Sequence, residues 1–236
     1  MRTGQLQTAL IAVGVGALLV LAGSGCTAAS EGADTSGYKL APPRLVGEYK
    51  EHRRYGNTYV GIVDCAGQPS DADCDAAQTE VWGIGIEPKD ANRIVGKATG
   101  TGADYVLGDV NAEGARYLVF RGLQGRIPDP DKAVARMFRS IEKSEQLPFS
   151  FSFSDTKWVG GPKTFDLEDF KGAVMKCRKS LHTVKNVYKG TVTRTPHVVC
   201  IWADHSTVAA TELRHATAPE LADLTAELYR TSRVKK

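Results

Sequence analysis

Alternating apolar and polar residues along the chain predict a protein built mainly from β-strands. Short runs rich in β-branched and aromatic residues, bounded by Gly, Pro, Asn and Asp, are typical of strands. Glycines and prolines in residues 148–169 favour a bridging loop, although Ser150–Phe153 alternates as an edge strand would. The predicted strands are residues 57–64, 80–87, 103–110 and 116–122, followed by 172–177, 184–193, 198–203 and 206–213.

Two segments have the apolar spacing of amphipathic helices. Asp129 is a predicted N-cap with Pro130 at the first helical position, and Thr217-Ala-Pro-Glu220 has the form of a capping box. Each helix follows strands and a proline-containing link, which predicts two pseudo-repeated halves. The predicted class is α+β, a mostly antiparallel sheet with helices packed on one face. The predicted buried stripes are Ala133, Val134, Met137, Phe138 and Ile141 in the first helix, and Leu221, Leu224 and Leu228 in the second.

The N-terminal stretch has the pattern of an export signal. Arg2 is its only charged residue, and the apolar run Ala9–Ala22 is short for a spanning helix, which needs about 20 apolar residues. Small residues then precede Cys26, a pattern that resembles the bacterial lipobox, with Gly23 where an aliphatic residue is usual. We expect residues 1–25 to be a lipoprotein signal peptide. Ordinary secretory cleavage and an uncleaved anchor are the alternatives.

Acylation of Cys26 would determine both compartment and attachment. At about 0.8 kcal/mol per buried methylene, two chains such as palmitate hold a protein stably on a membrane. We therefore expect a lipid-anchored protein on the extracytoplasmic face of the cell membrane. An apolar segment within the tether (Leu40, Leu45, Val46 and Tyr49) is expected to dock on the body. The predicted organisation is a lipidated N-terminus and tether (26–56), a first half (57–147), a bridging segment (148–171) and a second half with the C-terminal helix (172–236).

The cysteine count is consistent with this assignment. There are five cysteines, and an odd number would leave one thiol without a disulfide partner in an exported protein. Acylation of Cys26 would leave an even number. The other four then favour two disulfides, for which three connectivities exist. We predict Cys65–Cys74 and Cys177–Cys200, because each pair lies within one half of the chain and the first closes a short loop.

Metal and cofactor sites are not predicted. No C-x-x-C pair or histidine at ligand spacing accompanies the cysteines. Asp71-Ala-Asp-Cys-Asp75 begins like an EF-hand loop, but Ala76 and Trp82 stand where Gly and Glu are required. A weak irregular calcium site is the alternative to a solvated acidic loop.

Charge is distributed unevenly along the chain. Residues 27–150 carry 15 Lys and Arg against 18 Asp and Glu, whereas residues 171–236 carry 12 against 5. A solvated sheet face is the simpler interpretation of the basic end. The alternative is a surface for an anionic envelope polymer, lipid headgroups or a partner protein. Nucleic acid is not expected in this compartment. The densest basic cluster is Lys171, Lys176, Arg178, Lys179, His182, Lys185 and Lys189.

The run Trp202-Ala-Asp-His-Ser-Thr207 contains the residue types of a Ser/His/Asp triad. Consecutive side chains on a strand or turn point apart, so they cannot relay a proton among themselves. We therefore predict a structural role and no catalytic residue. Asp204 would start a tight turn that His205 and Ser206 complete, and Trp202 would cover the Cys177–Cys200 disulfide.

Three stretches of the sequence resemble an uncharacterised actinobacterial secreted or lipoprotein family. They are Tyr38–Lys50, Gly125–Pro130, and Lys176-Cys177 together with Val199–Thr207. The resemblance implies an exported protein and a Cys177–Cys200 pair, and it adds no reaction. The function expected overall is a non-enzymatic binding or interaction protein of the envelope. The alternatives are a hydrolase using His205 with an acid from elsewhere, and a carrier enclosing a lipid or small ligand between sheet and helices.

Overall fold

An eight-stranded antiparallel sheet forms the centre of the protein. The computed structural model describes residues 34–59, 88–144, 152–166, 170, 172–186 and 190–235. Strands and packed helices in these residues confirm the α+β class with a mostly antiparallel sheet. The elements are β1 Tyr38–Leu40, β2 Leu45–Val46, β3 Tyr49–Tyr59, α1 Pro88–Ile94, β4 Gly96–Leu107, β5 Arg116–Arg126, α2 Pro130–Ser144, β6 Ser152–Thr164, β7 Val174–Asn186, β8 Thr191–Ala203, β9 Thr207–Arg214, α3 Ala218–Ser232 and β10 Arg233–Lys235.

Strands from both predicted halves share this sheet. Its order is β2-β3-β4-β5-β9-β8-β7-β6, so β5 and β9 meet at the centre. The short strands β1 and β10 form a separate antiparallel pair. All of these elements belong to one compact unit, Gly32–Lys236. The pseudo-repeat itself stays a prediction.

Helices cover both faces of the sheet, so the expectation of helices on one face is wrong. In β8, Val198 and Cys200 pack in the cluster that contains α3, whereas Val199 and Ile201 pack in the cluster that contains α2. These surfaces are called the α3 face and the α2 face below. A strand buried on both sides is continuously apolar, which obscures the alternation that marks one covered face.

The predicted helix starts and buried stripes are confirmed. The backbone amide of Lys132 donates to the Asp129 carboxylate at 3.0 Å, and α2 begins at Pro130. Both hydrogen bonds of the capping box join Thr217 and Glu220 at the start of α3. All predicted stripe residues are buried except Leu224, which is half-buried and packs against the same core.

The predicted bridging loop and one predicted strand differ from the structure. Strand β6 occupies much of the predicted bridging segment, because a bulge between Val159 and Lys163 accommodates its glycines and proline on the sheet edge. The predicted strand 184–193 is divided between β7 and β8, with Gly190 at φ +62° before β8 begins. Helix α1, which no pattern above predicts, lies directly before β4.

The segment before residue 57 docks on the body, as its apolar residues predict. Leu40, Val46 and Tyr49 are buried, whereas Leu45 is exposed. Because β3 begins at Tyr49, the folded body starts before the boundary predicted at residue 57. The predicted signal peptide, Cys26, the Cys65–Cys74 pair, the Asp71–Asp75 loop and the strand 80–87 lie outside the described residues.

Candidate functional site

The β8–β9 turn is organised by the buried carboxylate of Asp204. Its Oδ1 accepts hydrogen bonds from the backbone amides of Ser206 and Thr207, both at 2.7 Å. Its Oδ2 accepts from the Thr207 hydroxyl at 3.0 Å. These contacts are the turn that the sequence predicts, with a side-chain carboxylate replacing backbone acceptors.

The same carboxylate forms an ion pair with the C-terminal part of the chain. Arg233 Nε lies 2.7 Å from Asp204 Oδ2. The guanidinium also stacks between two aromatic rings, 4.0 Å from the centre of Tyr38 and 4.1 Å from that of Tyr229. Burial raises the pKa of Tyr229 to about 12. The ion pair therefore joins the turn to both ends of the described chain.

Ser206 and His205 complete this connection. The Ser206 hydroxyl donates to the backbone carbonyl of Thr35 at 2.6 Å and accepts from the amide of Tyr38 at 3.1 Å. The His205 amide donates to the Thr35 hydroxyl at 3.0 Å, whereas its ring Nδ1 lies 3.1 Å from the carbonyl oxygen of Ile127. The hydroxyl and the imidazole thus have different partners, an arrangement that favours a structural motif over a catalytic triad.

The Cys177–Cys200 disulfide is present, with a Cα–Cα distance of 4.0 Å. The two cysteines are register partners in β7 and β8. Trp202 lies in the same core cluster, stacked on Phe120 at 5.7 Å between ring centres. The disulfide and the tryptophan therefore belong to the α3-face core.

A histidine pair that the sequence does not predict lies on the α2 face. His197 Nδ1 contacts the Glu212 carboxylate, and the His182 ring centre lies 5.4 Å from that of His197. No group of three metal-ligating side chains occurs in the part of the chain that the structure describes. Sequence alone could not bring these residues together, because their proximity depends on the β7–β8–β9 register.

The predicted basic cluster is divided between the two faces of β7. On the α2 face, Lys176 Nζ pairs with Asp131 at 2.9 Å. Arg178 stacks over Trp158 at 4.8 Å and lies 3.7 Å from a Glu142 carboxylate oxygen. These cations are therefore already paired within the fold. Lys179 and Lys185 lie on the α3 face, and Lys171 and Lys189 lie outside the described residues.

The α3 face of β6, β7 and β8 carries five cations that run from the border of the helix-covered core, at Cys177, Cys200 and Val198, to the uncovered end of these strands. A level here means one set of register partners on β6, β7 and β8 whose side chains are on the same face. The cations occupy five successive levels, which contain β7 residues 177, 179, 181, 183 and 185. Each level carries one cation. In this order the cations are Lys163, Lys179, Lys157, Arg194 and Lys185, and together they are called the cationic strip.

The cationic strip is exposed and unpaired. All five side chains are exposed, and among the described residues they make no ion pair. Asp155, paired in register with Thr183, is the one acidic residue at these levels of the three strands. Val159 and Val192 lie between the cations with 55% and 48% of their surface exposed. Only Lys179 and Lys185 belong to the basic cluster predicted from sequence. The two β6 lysines lie in the predicted loop at 148–169, and Arg194 lies just after the predicted strand 184–193.

Comparisons of the chain with protein families, with curated proteins and with solved structures found no match. The resemblance to an actinobacterial secreted or lipoprotein family therefore stays a prediction. None of the helices in the described ranges is long and apolar enough to cross a membrane.

Proposed function

We propose that this chain is a lipid-anchored extracytoplasmic binding protein that holds an anionic component of the envelope. Cys26 would supply the attachment, and the body would act by binding rather than by catalysis. The observation that carries the proposal is the cationic strip, five unpaired cations aligned on one open sheet face. The polar residues of the Asp204 turn are, by contrast, engaged within the fold.

Electrostatics explains why such a strip favours an anionic ligand. A single exposed ion pair contributes little in water, about 0–1 kcal/mol. Several cations of one sign on a continuous surface add their potentials and raise the local concentration of anions. Screening by salt weakens this attraction, with a Debye length of about 8 Å at physiological ionic strength. Binding should therefore be strong at low salt and decline steeply as salt is added.

Chromatography on an immobilised sulfated polysaccharide tests this proposal. We expect the full-length protein, purified in a non-ionic detergent, to be retained at low salt and eluted by a salt gradient. The triple variant Lys157→Gln/Lys179→Gln/Lys185→Gln should elute at a markedly lower salt concentration, because three of the five levels lose their charge.

A matched variant distinguishes an effect of the cationic strip from an effect of the protein's net charge. Lys39→Gln/Arg44→Gln/Lys50→Gln removes the same charge from exposed positions elsewhere, and we expect it to elute close to the wild type. Equal shifts for both triple variants, or no retention of the wild type, would refute binding through the cationic strip. Circular dichroism of each variant would verify that the fold is retained.

A further inference from the structure

We propose that the ligand of the cationic strip is a single linear polyanion, with regularly repeated anionic groups, that lies along strands β6, β7 and β8. This inference rests on the proposed function and specifies the shape of its ligand. An extended chain with one charge per repeat, such as a phosphodiester-linked polyol, has the chemistry that the strip would recognise.

The five cations are regularly spaced along the strand direction. Successive same-face levels in a strand are two residues apart, or about 6.7 Å at the usual rise of 3.3–3.4 Å per residue. Five levels with one cation each therefore cover about 27 Å in steps of equal length. Clustered headgroups or a compact anion would need cations grouped at one point, whereas an extended chain needs them in sequence.

The strip is also narrow enough for one chain. Its cations alternate among three neighbouring strands, and neighbouring strands lie about 4.8 Å apart. Lys157 and Arg194, on the two outer strands, are thus roughly 10 Å apart across the strip. The flexible side chains of lysine and arginine can close that distance from both sides. A ligand lying over β7 would have charges within reach at every level.

Helix α3 argues against a flat bilayer as the ligand. It packs on the same face, over Cys200 and Trp202, and forms a layer about 10 Å thick beside the strip. Asp223 is exposed on this helix, whereas Glu220 pairs with Arg116 and Glu227 accepts a hydrogen bond from the Gly47 amide. A planar anionic membrane would meet the outer side of this helix, with its Asp223 carboxylate, first and be held about one Debye length from the lysines. A thin polymer could enter beside the helix.

Apolar residues lie among the cations, and they would suit a polymer whose anionic groups are joined by carbon segments. Val159 and Val192 are exposed at the second and fifth levels, and Leu181 and Pro196 face each other at the third. These surfaces separate the cations without adding competing charge. A repeat with a short carbon segment between anionic groups would cover them.

Chain length is the decisive variable for the test. Synthetic oligo(glycerol phosphate) chains of two to eight phosphates would be titrated into the full-length protein in non-ionic detergent, with affinity measured by calorimetry. We expect affinity to rise with each phosphate up to about five and then to level off. At that length, the slope of log K against log salt should be about −3.5, if each neutralised phosphate contributes about −0.7 as in single-stranded nucleic acid.

Variants and a membrane competition complete the experiment. Lys157→Gln/Lys179→Gln/Lys185→Gln should reduce the slope by about 2, whereas Lys39→Gln/Arg44→Gln/Lys50→Gln should leave it unchanged. For protein reconstituted in vesicles, replacing zwitterionic lipid by phosphatidylglycerol should leave oligomer binding intact. Loss of oligomer binding in anionic vesicles would identify the bilayer as the ligand and overturn the linear polyanion.

The outcomes separate this inference from the proposed function. Affinity that stops rising at two phosphates, with the strip variant still weakened, would overturn the linear ligand but support an anionic partner. No strip-dependent binding to any oligomer, polysaccharide or vesicle would overturn both.

Discussion

At the scale of single residues, Asp204 combines several roles in one buried carboxylate. It forms the β8–β9 turn and pairs with Arg233, which stacks on Tyr38 from the N-terminal segment. Burying a charge is costly unless it is paired and hydrogen-bonded. The unusual run is thus accounted for by folding, because Asp204, Ser206 and Thr207 all have side-chain hydrogen bonds within the fold.

Replacing Asp204 by Asn should destabilise the protein by about 3 kcal/mol, the usual cost of leaving one partner of a buried ion pair uncompensated. The substitution preserves side-chain size while removing the charge that faces Arg233. Urea unfolding followed by circular dichroism would measure the change in the free energy of unfolding.

Asp223→Asn is the matched control, since Asp223 is exposed on α3. We expect it to change stability by less than about 0.5 kcal/mol. If Asp204→Asn is equally mild, the carboxylate does not have the central role assigned to it.

At the scale of elements, two of the three described helices, α2 and α3, were predictable, whereas α1 and the edge strand β6 were not. Capping residues at Asp129 and Thr217 act locally, so sequence alone locates the starts of α2 and α3. Edge strand β6 contains Gly160, Gly161 and Pro162, which mimic a loop unless its partner strand is known. The cationic strip depends on that strand and on register, and neither can be read from local composition.

The docking of β1 provides an element-scale prediction. A methyl group added at Gly122 would lie 2.3 Å from Leu40 Cδ1 and 3.2 Å from Ala209 Cβ. Because Leu40 is buried there, we expect Gly122→Ala to destabilise the protein by about 1–3 kcal/mol through overpacking. Chemical denaturation would measure it.

A double-mutant cycle with Leu40→Ala distinguishes this cause from a general effect on β5. The smaller residue removes the clashing atom, so the cost of Gly122→Ala should fall clearly in that background. Additive effects of the two substitutions would show that β1 does not pack on Gly122 as described.

At the scale of the whole molecule, the predicted anchor and the described body are complementary. The sequence predicts a lipid anchor, and the fold presents a surface with a definite charge pattern. Composition showed that the C-terminal half is basic, but only the fold separates Lys176 and Arg178, which are paired, from the cationic strip. This separation required three-dimensional information, because Lys179 and Lys185 share β7 with the paired residues and the other three cations lie on β6 and β8.

Replacing Cys26 by Ser tests the predicted lipid attachment. If Cys26 is the acylated residue, the variant should accumulate as an unprocessed precursor or be released from membranes, because serine cannot form the thioether. Immunoblots of membrane and soluble fractions, with metabolic labelling by a fatty-acid analogue, would measure this. A processed, labelled and membrane-bound variant would contradict the lipoprotein assignment.

The pairing of β1 with β10 has a mechanical consequence. If the protein is held by Cys26, tension between the bilayer and a captured polymer enters the described fold at Asp34. It acts first on the hydrogen bonds of Thr35 and on Tyr38, which stacks on Arg233. In that case β10 would carry part of the tension, and the rupture force would depend on residues distant from the cationic strip.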